Sequence, residues 1–306
     1  MTQIQQPFTG NSLGELIDWG ADYLTAADLA YGHGTDNPID EAAWIVLHAS
    51  GFSPADVDVD YAASLNESQI EASIKLLKKR VNTRQPTAYL TQKAWFAGLE
   101  FYVDERVLVP RSPLAELIVD VFSSLIDPTA VHRILDMCTG SGCIAIASAY
   151  VFADAKVDAV DLSQDALDVA AINVEQHCVK NQLSLIKSDV FSQVPAAKYD
   201  LILSNPPYVD QQDMQNLSAE FEHEPALGLA AGSDGLDIII KILRGAGQFL
   251  SENGVLIAEV GNSAEALSQR FPTVPFQWIE FETGGDGVFM LSAQDLKDYA
   301  GEFLSV

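Results

Sequence analysis

Apolar residues recur at helical spacing through the first third of the chain. Leu13, Leu16, Ile17 and Ala21 share one face of a helix that Ser12 can cap, and Trp44, Val46 and Leu47 mark a second, over 41–49, that Asp40 can cap. Ile70, Ile74, Leu77 and Val81 mark a third, running from Ser68, and together the three predict a small helical domain. Between the first two, residues 31–38 are rich in Gly, Asp and Asn-Pro and read as a turn-rich loop, with His33 an ordinary loop histidine. From 88 to 113 the period changes. Phe96, Phe101, Val103, Val107 and Val109 stand among aromatic and β-branched neighbours, with Gly98 and Asp104-Glu105 as turns, which predicts a linking hairpin.

A helix from Pro113 to about Ile126 follows, and then a regular alternation begins. Apolar strands at Arg133–Met137, Lys156–Asp161, Leu183–Lys187, 200–204 and 254–260 alternate with helical stretches at 143–153, 164–178 and 236–250, the signature of an α/β fold with a parallel, doubly wound sheet. Residues 276–282, the turn Gly284-Gly285-Asp286-Gly287 and Val288–Ser292 depart from it as a hairpin, so the last strand is expected to run reversed. The expected division is a helical domain at 1–87, a hairpin at 88–112 and the α/β domain at 113–306. No internal repeat is visible.

Composition narrows the partners. Of 306 residues, 48% are hydrophobic and 20% charged, enough apolar content to bury a core and too much for a disordered chain. Lys and Arg number 17 against 43 Asp and Glu, a formal charge of −26 that is spread along the chain rather than gathered in one tail. Neutralising phosphates with Lys and Arg supplies most non-specific nucleic-acid affinity, so the charge argues against an electrostatic DNA clamp and would repel a polyanion beyond local patches, whereas a basic protein would be attracted. One local exception is the third helix, where Lys75, Lys78, Lys79, Arg80 and Arg84 form either a footprint for RNA or an acidic surface, or simply a solvated face.

Residues 1–6 carry neither the basic nor the apolar region of a secretory signal, and the longest apolar stretch, 143–153, is far short of the ~20 residues that span a bilayer. Cys138, Cys143 and Cys178 cannot all pair and form no CxxC, so neither a disulfide framework nor a zinc ribbon fits, and no metal site is expected. A soluble, reduced, cytoplasmic monomer is the expectation.

Three segments can carry chemistry. Cys138-Thr139-Gly140-Ser141-Gly142 links a strand to the helix at Cys143; small residues let a ligand approach the backbone and the helix N-terminus offers N–H groups, although any tight turn here would need glycine. Asp161 ends the next strand, 21 positions beyond Gly140, where an acid can accept both hydroxyls of a ribose, cap the helix near Gln164, or do both. Asp189, at the end of the third strand region, can face an adenine amino group or cap a helix. Asn205-Pro206-Pro207-Tyr208 follows the fourth strand at its carboxyl end, where open α/β sheets bind ligands. A planar amide or amino nitrogen carries two N–H donors, which the Asn205 side-chain oxygen and the Pro206 carbonyl can hold together while Tyr208 packs on the flat face. The two prolines stiffen the loop and remove competing N–H groups.

An α/β core with Asn-Pro-Pro-Tyr resembles the class I S-adenosylmethionine-dependent methyltransferases that modify a planar nitrogen: an adenine or cytosine amino group, or the glutamine side-chain amide. The order of helical domain, hairpin and core is similar to the HemK-type protein-glutamine methyltransferases. Val107-Leu108-Val109-Pro110-Arg111 matches that family's segment before the core, and Phe221-Glu222-His223-Glu224-Pro225 its Glu-Pro segment after the catalytic loop. Residues 31–38, Ala88-Tyr89-Leu90-Thr91, Lys93-Ala94-Trp95-Phe96 and 101–106 resemble the subgroup that acts on a ribosomal protein.

The resemblance implies a Rossmann-like, mostly parallel sheet with a reversed last strand, S-adenosylmethionine as donor and S-adenosylhomocysteine as product. It implies as substrate a glutamine of large-subunit ribosomal protein three, a basic partner met before or during assembly and recognised by residues 1–87. It places the cofactor loop on Cys138, Thr139, Gly140, Ser141 and Gly142, the ribose-binding acid on Asp161, and the substrate-binding loop on Asn205, Pro206, Pro207 and Tyr208, of which Asn205, Pro206 and Tyr208 are catalytic and Asn205 also meets the cofactor. Cys138 stands where many relatives have the first glycine, so a backbone contact is expected there, and Val190 stands where some place an aromatic. A release-factor glutamine, a nucleic-acid amino group, or a non-catalytic role in ribosome assembly are the alternatives; the acidity argues against nucleic acid.

Overall fold

The computed structural model describes residues 7–52, 59–282 and 284–305, and the reading of 1–6 lies outside them. The chain divides into two compact units, Met1–Ala94 with Leu217–His223, and Trp95–Asn216 with Glu224–Val306.

The first unit holds α1 (Leu13–Thr25), α2 (Pro38–Ser50), α3 (Glu67–Thr83) and α4 (Thr87–Thr91). Ser12 caps α1 in a reciprocal box with Glu15, each side chain accepting the other's backbone N–H. The second helix starts earlier than expected, because Asn37 and not Asp40 is its cap: Asn37 Oδ1 accepts the Asp40 N–H at 2.9 Å, and Pro38 takes the first position, where a missing N–H is harmless. Leu13, Leu16, Leu24, Ile45 and Leu77 form the centre of the core.

Arg80 corrects the expected basic face. It is 1% exposed, with Nε donating to Glu41 at 2.6 Å and a terminal nitrogen to the Ala30 carbonyl at 3.1 Å, while buried Glu220 pairs with both Arg80 and Arg84. The reason is helical phase: Ser73, Leu77 and Arg80 share the buried side of α3, and only Lys75, Lys78 and Lys79 face water. His33 is buried too, its ring 4.2 Å from that of Phe221.

Strands β1 (Ala94–Phe96) and β2 (Leu99–Phe101) form the hairpin, closed by Ala97 and Gly98, both at positive φ. Val103, Val107 and Val109 are buried but join no strand.

In the second unit follow α5 (Leu114–Val119), β3 (Arg133–Met137), α6 (Cys143–Val151), β4 (Lys156–Asp161), α7 (Gln164–Gln176), β5 (Leu183–Lys187), β6 (Tyr199–Ser204), α8 (Gln211–Gln215), α9 (Asp237–Phe249), β7 (Leu250–Glu259), α10 (Ala264–Arg270), β8 (Gln277–Trp278), β9 (Val288–Ser292), α11 (Ala293–Asp298) and α12 (Ala300–Leu304). The helix expected to reach Ile126 ends at Val119. Val121 and Phe122 adopt positive φ, which turns the Phe122 ring fully into the core beside Phe152.

The sheet order is β5-β4-β3-β6-β7-β9-β8, parallel from β5 to β7, with β9 antiparallel to both its neighbours. The expected class I methyltransferase architecture, with its reversed last strand, is therefore present. Met137 is in register with Val160 on one side and Ser204 on the other, so Cys138, Asp161 and Asn205 leave the sheet together at its carboxyl edge.

Candidate active site

Cys138, Gly140 and Gly142 all take positive φ, +64°, +56° and +82°, which folds the segment after β3 into a tight loop ahead of α6. At Gly142 a Cβ would also press on Ala170 at 3.3 Å, so this turn needs glycine twice over. The loop is held from beneath by Asp136, a wholly buried residue of β3 that the sequence reading passed over: its Oδ2 accepts from Thr139 Oγ1 at 2.5 Å and from the Ala145 N–H at 3.1 Å. Burial pushes the Asp136 pKa up to about 7. Asn173 of α7 holds the loop from the side, donating to the Ser141 carbonyl at 2.8 Å and exchanging two hydrogen bonds with the Tyr102 backbone.

Asp161 closes β4. Its Oδ2 accepts the Gly140 N–H and its Oδ1 the Ser163 N–H, both at 2.9 Å, while Ser163 is the residue that caps α7. Backbone N–H groups thus engage both oxygens of the carboxylate, with Leu162 also contributing. Burial raises its pKa as well. Asp189 lies two residues beyond the end of β5 and is 56% exposed, 3.5 Å from Lys241 Nζ.

These groups surround an open cavity of about 140 Å³. Of the expected site residues, Cys138, Thr139, Gly140, Ser141, Asp161, Asp189, Asn205 and Pro207 line it. Gly142, Pro206 and Tyr208 do not. Apolar side chains of Leu162, Val190 and Ile238 contribute to the wall, and so do residues 106–112, Pro225 and Leu227. The Cys138 thiol is pushed up by burial and by the nearby Asp161 and Asp136 charges, so it stays protonated and unreactive.

The Asn-Pro-Pro-Tyr loop is fastened at both ends. Before it, Ser204 Oγ donates to the Met137 carbonyl at 2.8 Å; after it, Ser263 Oγ donates to the Tyr208 carbonyl at 2.8 Å. The Tyr208 hydroxyl donates to Glu259 Oε1 at 3.1 Å, and the residue is half-buried. The two segments flagged by resemblance meet: Arg111 forms a two-pronged ion pair with Glu224 at 2.6 and 2.7 Å, and Glu224 also accepts the Val109 N–H. Sequence reasoning missed Asp136, Asn173 and Glu259. None of the three carried a signal of its own, since each matters through burial and through the groups it meets in the fold.

Among the described residues no group of three or more His, Cys, Asp or Glu is placed to hold a metal ion, and no helix is long and apolar enough to cross a membrane.

The chain matches the family described as Methyltransferase small domain over residues 115–274. It is 44% identical to the ribosomal protein uL3 glutamine methyltransferase of Francisella tularensis subsp. tularensis (strain SCHU S4), across 98% of this chain and 97% of that protein. It is 43% identical to the protein of the same description from Bordetella pertussis (strain Tohama I), across 93% and 96%. Among solved structures, the hMettl16 catalytic domain in complex with MAT2A 3'UTR hairpin 1 aligns with a TM-score of 0.49 at 17% identity, over 81% of this chain and 90% of that one. Identity of 43–44% sustained along nearly the whole of both chains leaves no segment for an unrelated architecture, and the chain belongs to the ribosomal protein uL3 glutamine methyltransferase family.

Proposed function

We propose that this methyltransferase transfers a methyl group from S-adenosylmethionine to the side-chain amide nitrogen of one glutamine of ribosomal protein uL3, leaving S-adenosylhomocysteine. The observation that carries the reading is the near full-length similarity to uL3 glutamine methyltransferases, and the position of Asn205 on the cavity wall supports it.

The residues present fit the cofactor. Gly140 would meet nothing within 4 Å at the Cβ position, so open space borders this left-handed backbone where a ligand can come close. Asp161 on the cavity wall can accept ribose hydroxyls, Asp189 can accept from an adenine amino group, and Leu162 and Val190 give apolar surface for a flat base. The two acids on the cavity wall, Asp161 and Asp189, favour a cationic ligand. Cys138, Thr139, Ser141 and Gly142 complete the loop, Cys138 through its backbone.

When bound, S-adenosylmethionine supplies an electrophilic methyl group on a sulfonium sulfur. The rest falls to the chain. An amide nitrogen is a poor nucleophile because its lone pair is delocalised into the carbonyl. Asn205 Oδ1 and the Pro206 carbonyl each accept one N–H of the substrate amide, fixing its orientation and stabilising the positive charge that grows on nitrogen. The nitrogen gains a bond to carbon as the carbon–sulfur bond breaks, and then loses one proton to water; being strongly acidic by then, it needs no strong base. Pro207 keeps the loop stiff. We assign substrate recognition to the helical segment 1–87 and encounter with the basic ribosomal protein to the charge of −26.

The test is transfer of labelled methyl to RNA-free ribosomal proteins from a strain lacking the gene, with the product located by mass spectrometry. The expected result is one added methyl on a single uL3 glutamine, with Asn205→Ala lowering kcat by about 10²–10³-fold while still binding cofactor. Label on a release factor or on nucleic acid, with none on uL3, would replace the substrate and keep the chemistry. Cofactor binding with no labelled product would leave a ribosome-assembly binding module.

A further inference from the structure

We propose that Glu259 is a positioning residue for this reaction: it holds Asn205 in place through Tyr208. The inference rests on the glutamine-transfer reading above and adds a group that lies off the cavity wall. Glu259 is the last residue of β7 and is 5% exposed. Its two oxygens are divided between two segments. Oε1 accepts from the Tyr208 hydroxyl at 3.1 Å, and Oε2 accepts from the Ser112 hydroxyl at 2.5 Å. Tyr208 ends the loop that carries Asn205, and Ser112 ends the segment 106–112 that lines the cavity. A carboxylate out of water destabilises a fold unless it is well partnered, so stability alone gives no reason for an acid here.

The Tyr208 ring is seated as closely as its hydroxyl. It lies on Gly261, where φ is +45° and a Cβ would come within 2.6 Å of the ring. Its carbonyl takes the Ser263 hydroxyl at 2.8 Å. At the other end of the loop Ser204 is tied to Met137. Only Asn205, Pro206 and Pro207 lie between these two anchors. Proline fixes φ near about −65° and leaves no N–H to re-pair, so the short span transmits a shift at Tyr208 to Asn205 instead of absorbing it. A misplacement of about 1 Å in an orienting group can reduce the rate about 10²-fold.

The experiment measures methyl transfer to uL3 by Tyr208→Phe, Glu259→Ala, Glu259→Gln and the Glu259→Ala/Tyr208→Phe double variant, together with crystal structures of wild type and Glu259→Ala. Glu259→Ala and Tyr208→Phe should each lower kcat by about 10–100-fold, with KM for uL3 and the Kd for S-adenosylmethionine within about threefold of wild type. The double variant should be no slower than the slower single one, because both remove the same tie. Glu259→Gln can accept from Tyr208 and donate to Ser112, and should keep kcat within about threefold of wild type. Glu259→Gln as slow as Glu259→Ala would overturn the proposal by showing that the charge matters and not the tie; additive losses in the double variant would overturn it as well. A Glu259→Ala crystal structure with Asn205 and Tyr208 undisplaced overturns it whatever the substrate. Wild-type protein that leaves uL3 unmethylated overturns the reading of the reaction instead, and the crystal structure still decides the tie.

Discussion

A carboxyl group held wholly out of water, as Asp136 is, makes stability depend on pH in a direction opposite to that of a salt-bridged acid. Its pKa is raised from 3.8 to about 7, so between those values the folded chain holds a proton that the unfolded chain has released. Stability is therefore full below the lower value and declines as pH rises through the window. Asp136→Asn can keep both accepted hydrogen bonds on its oxygen and cannot ionise. The melting temperature of that variant relative to wild type should climb between pH 5 and 8, by the equivalent of roughly 1 kcal/mol per pH unit in mid-window; parallel curves in a calorimetric series would refute this. Asp161 and Asn205 could be singled out in the sequence because each directly follows an apolar strand, and position alone gives them an edge to stand on. Asp136 and Glu259 could not, since what makes them important is burial and partners such as Ser112, 147 positions away from Glu259.

Within the elements, hydrophobic spacing located every strand of the main sheet apart from the ends, and it failed where a side chain's burial overrides its type. Arg80 is the plainest case: by composition it joins a run of cations, and by phase it sits with Leu77 inside the helical unit. Arg80→Ala would leave Glu41 unpaired at that guanidinium and deprive Glu220 of one partner. The expected destabilisation is about 3–5 kcal/mol, visible as faster amide exchange throughout α2 and α3. Lys75→Ala, Lys78→Ala and Lys79→Ala should each stay within about 0.5 kcal/mol of wild type in the same assay. The early end of α5 has a similar origin, since the apolar spacing continues but seating Phe122 in the core requires two left-handed residues that no periodicity announces. Asn173→Ala should loosen the glycine loop and cost about 1–3 kcal/mol by stranding the Ser141 and Tyr102 backbone groups, measurable by denaturant titration.

For the whole molecule, the charge of −26 was legible at once, and so was the change from helical to alternating pattern. That Leu217–His223 would fold with the first ninety-odd residues was not, because the segment is short and its membership depends on Glu220 meeting Arg80 and Arg84. The net charge carries its own prediction: kcat/KM for free uL3 should fall by roughly tenfold or more between low and high ionic strength, with kcat little changed, as expected of electrostatic steering. A flat salt profile would show that charge does not guide the encounter. The strand order also sets a schedule for the chain's birth. β7 is made well before β9, yet β9 is the neighbour that covers its outer edge. At ~5–20 residues per second the ribosome needs roughly 2–7 s to travel from Glu259 to Ser292. For the same interval, counted from its emergence from the ribosome, β7 has an unpaired edge that can recruit another chain. A stall that leaves β7 outside the ribosomal exit tunnel with β9 still inside should therefore yield a nascent chain that needs a chaperone, while one with both outside should not.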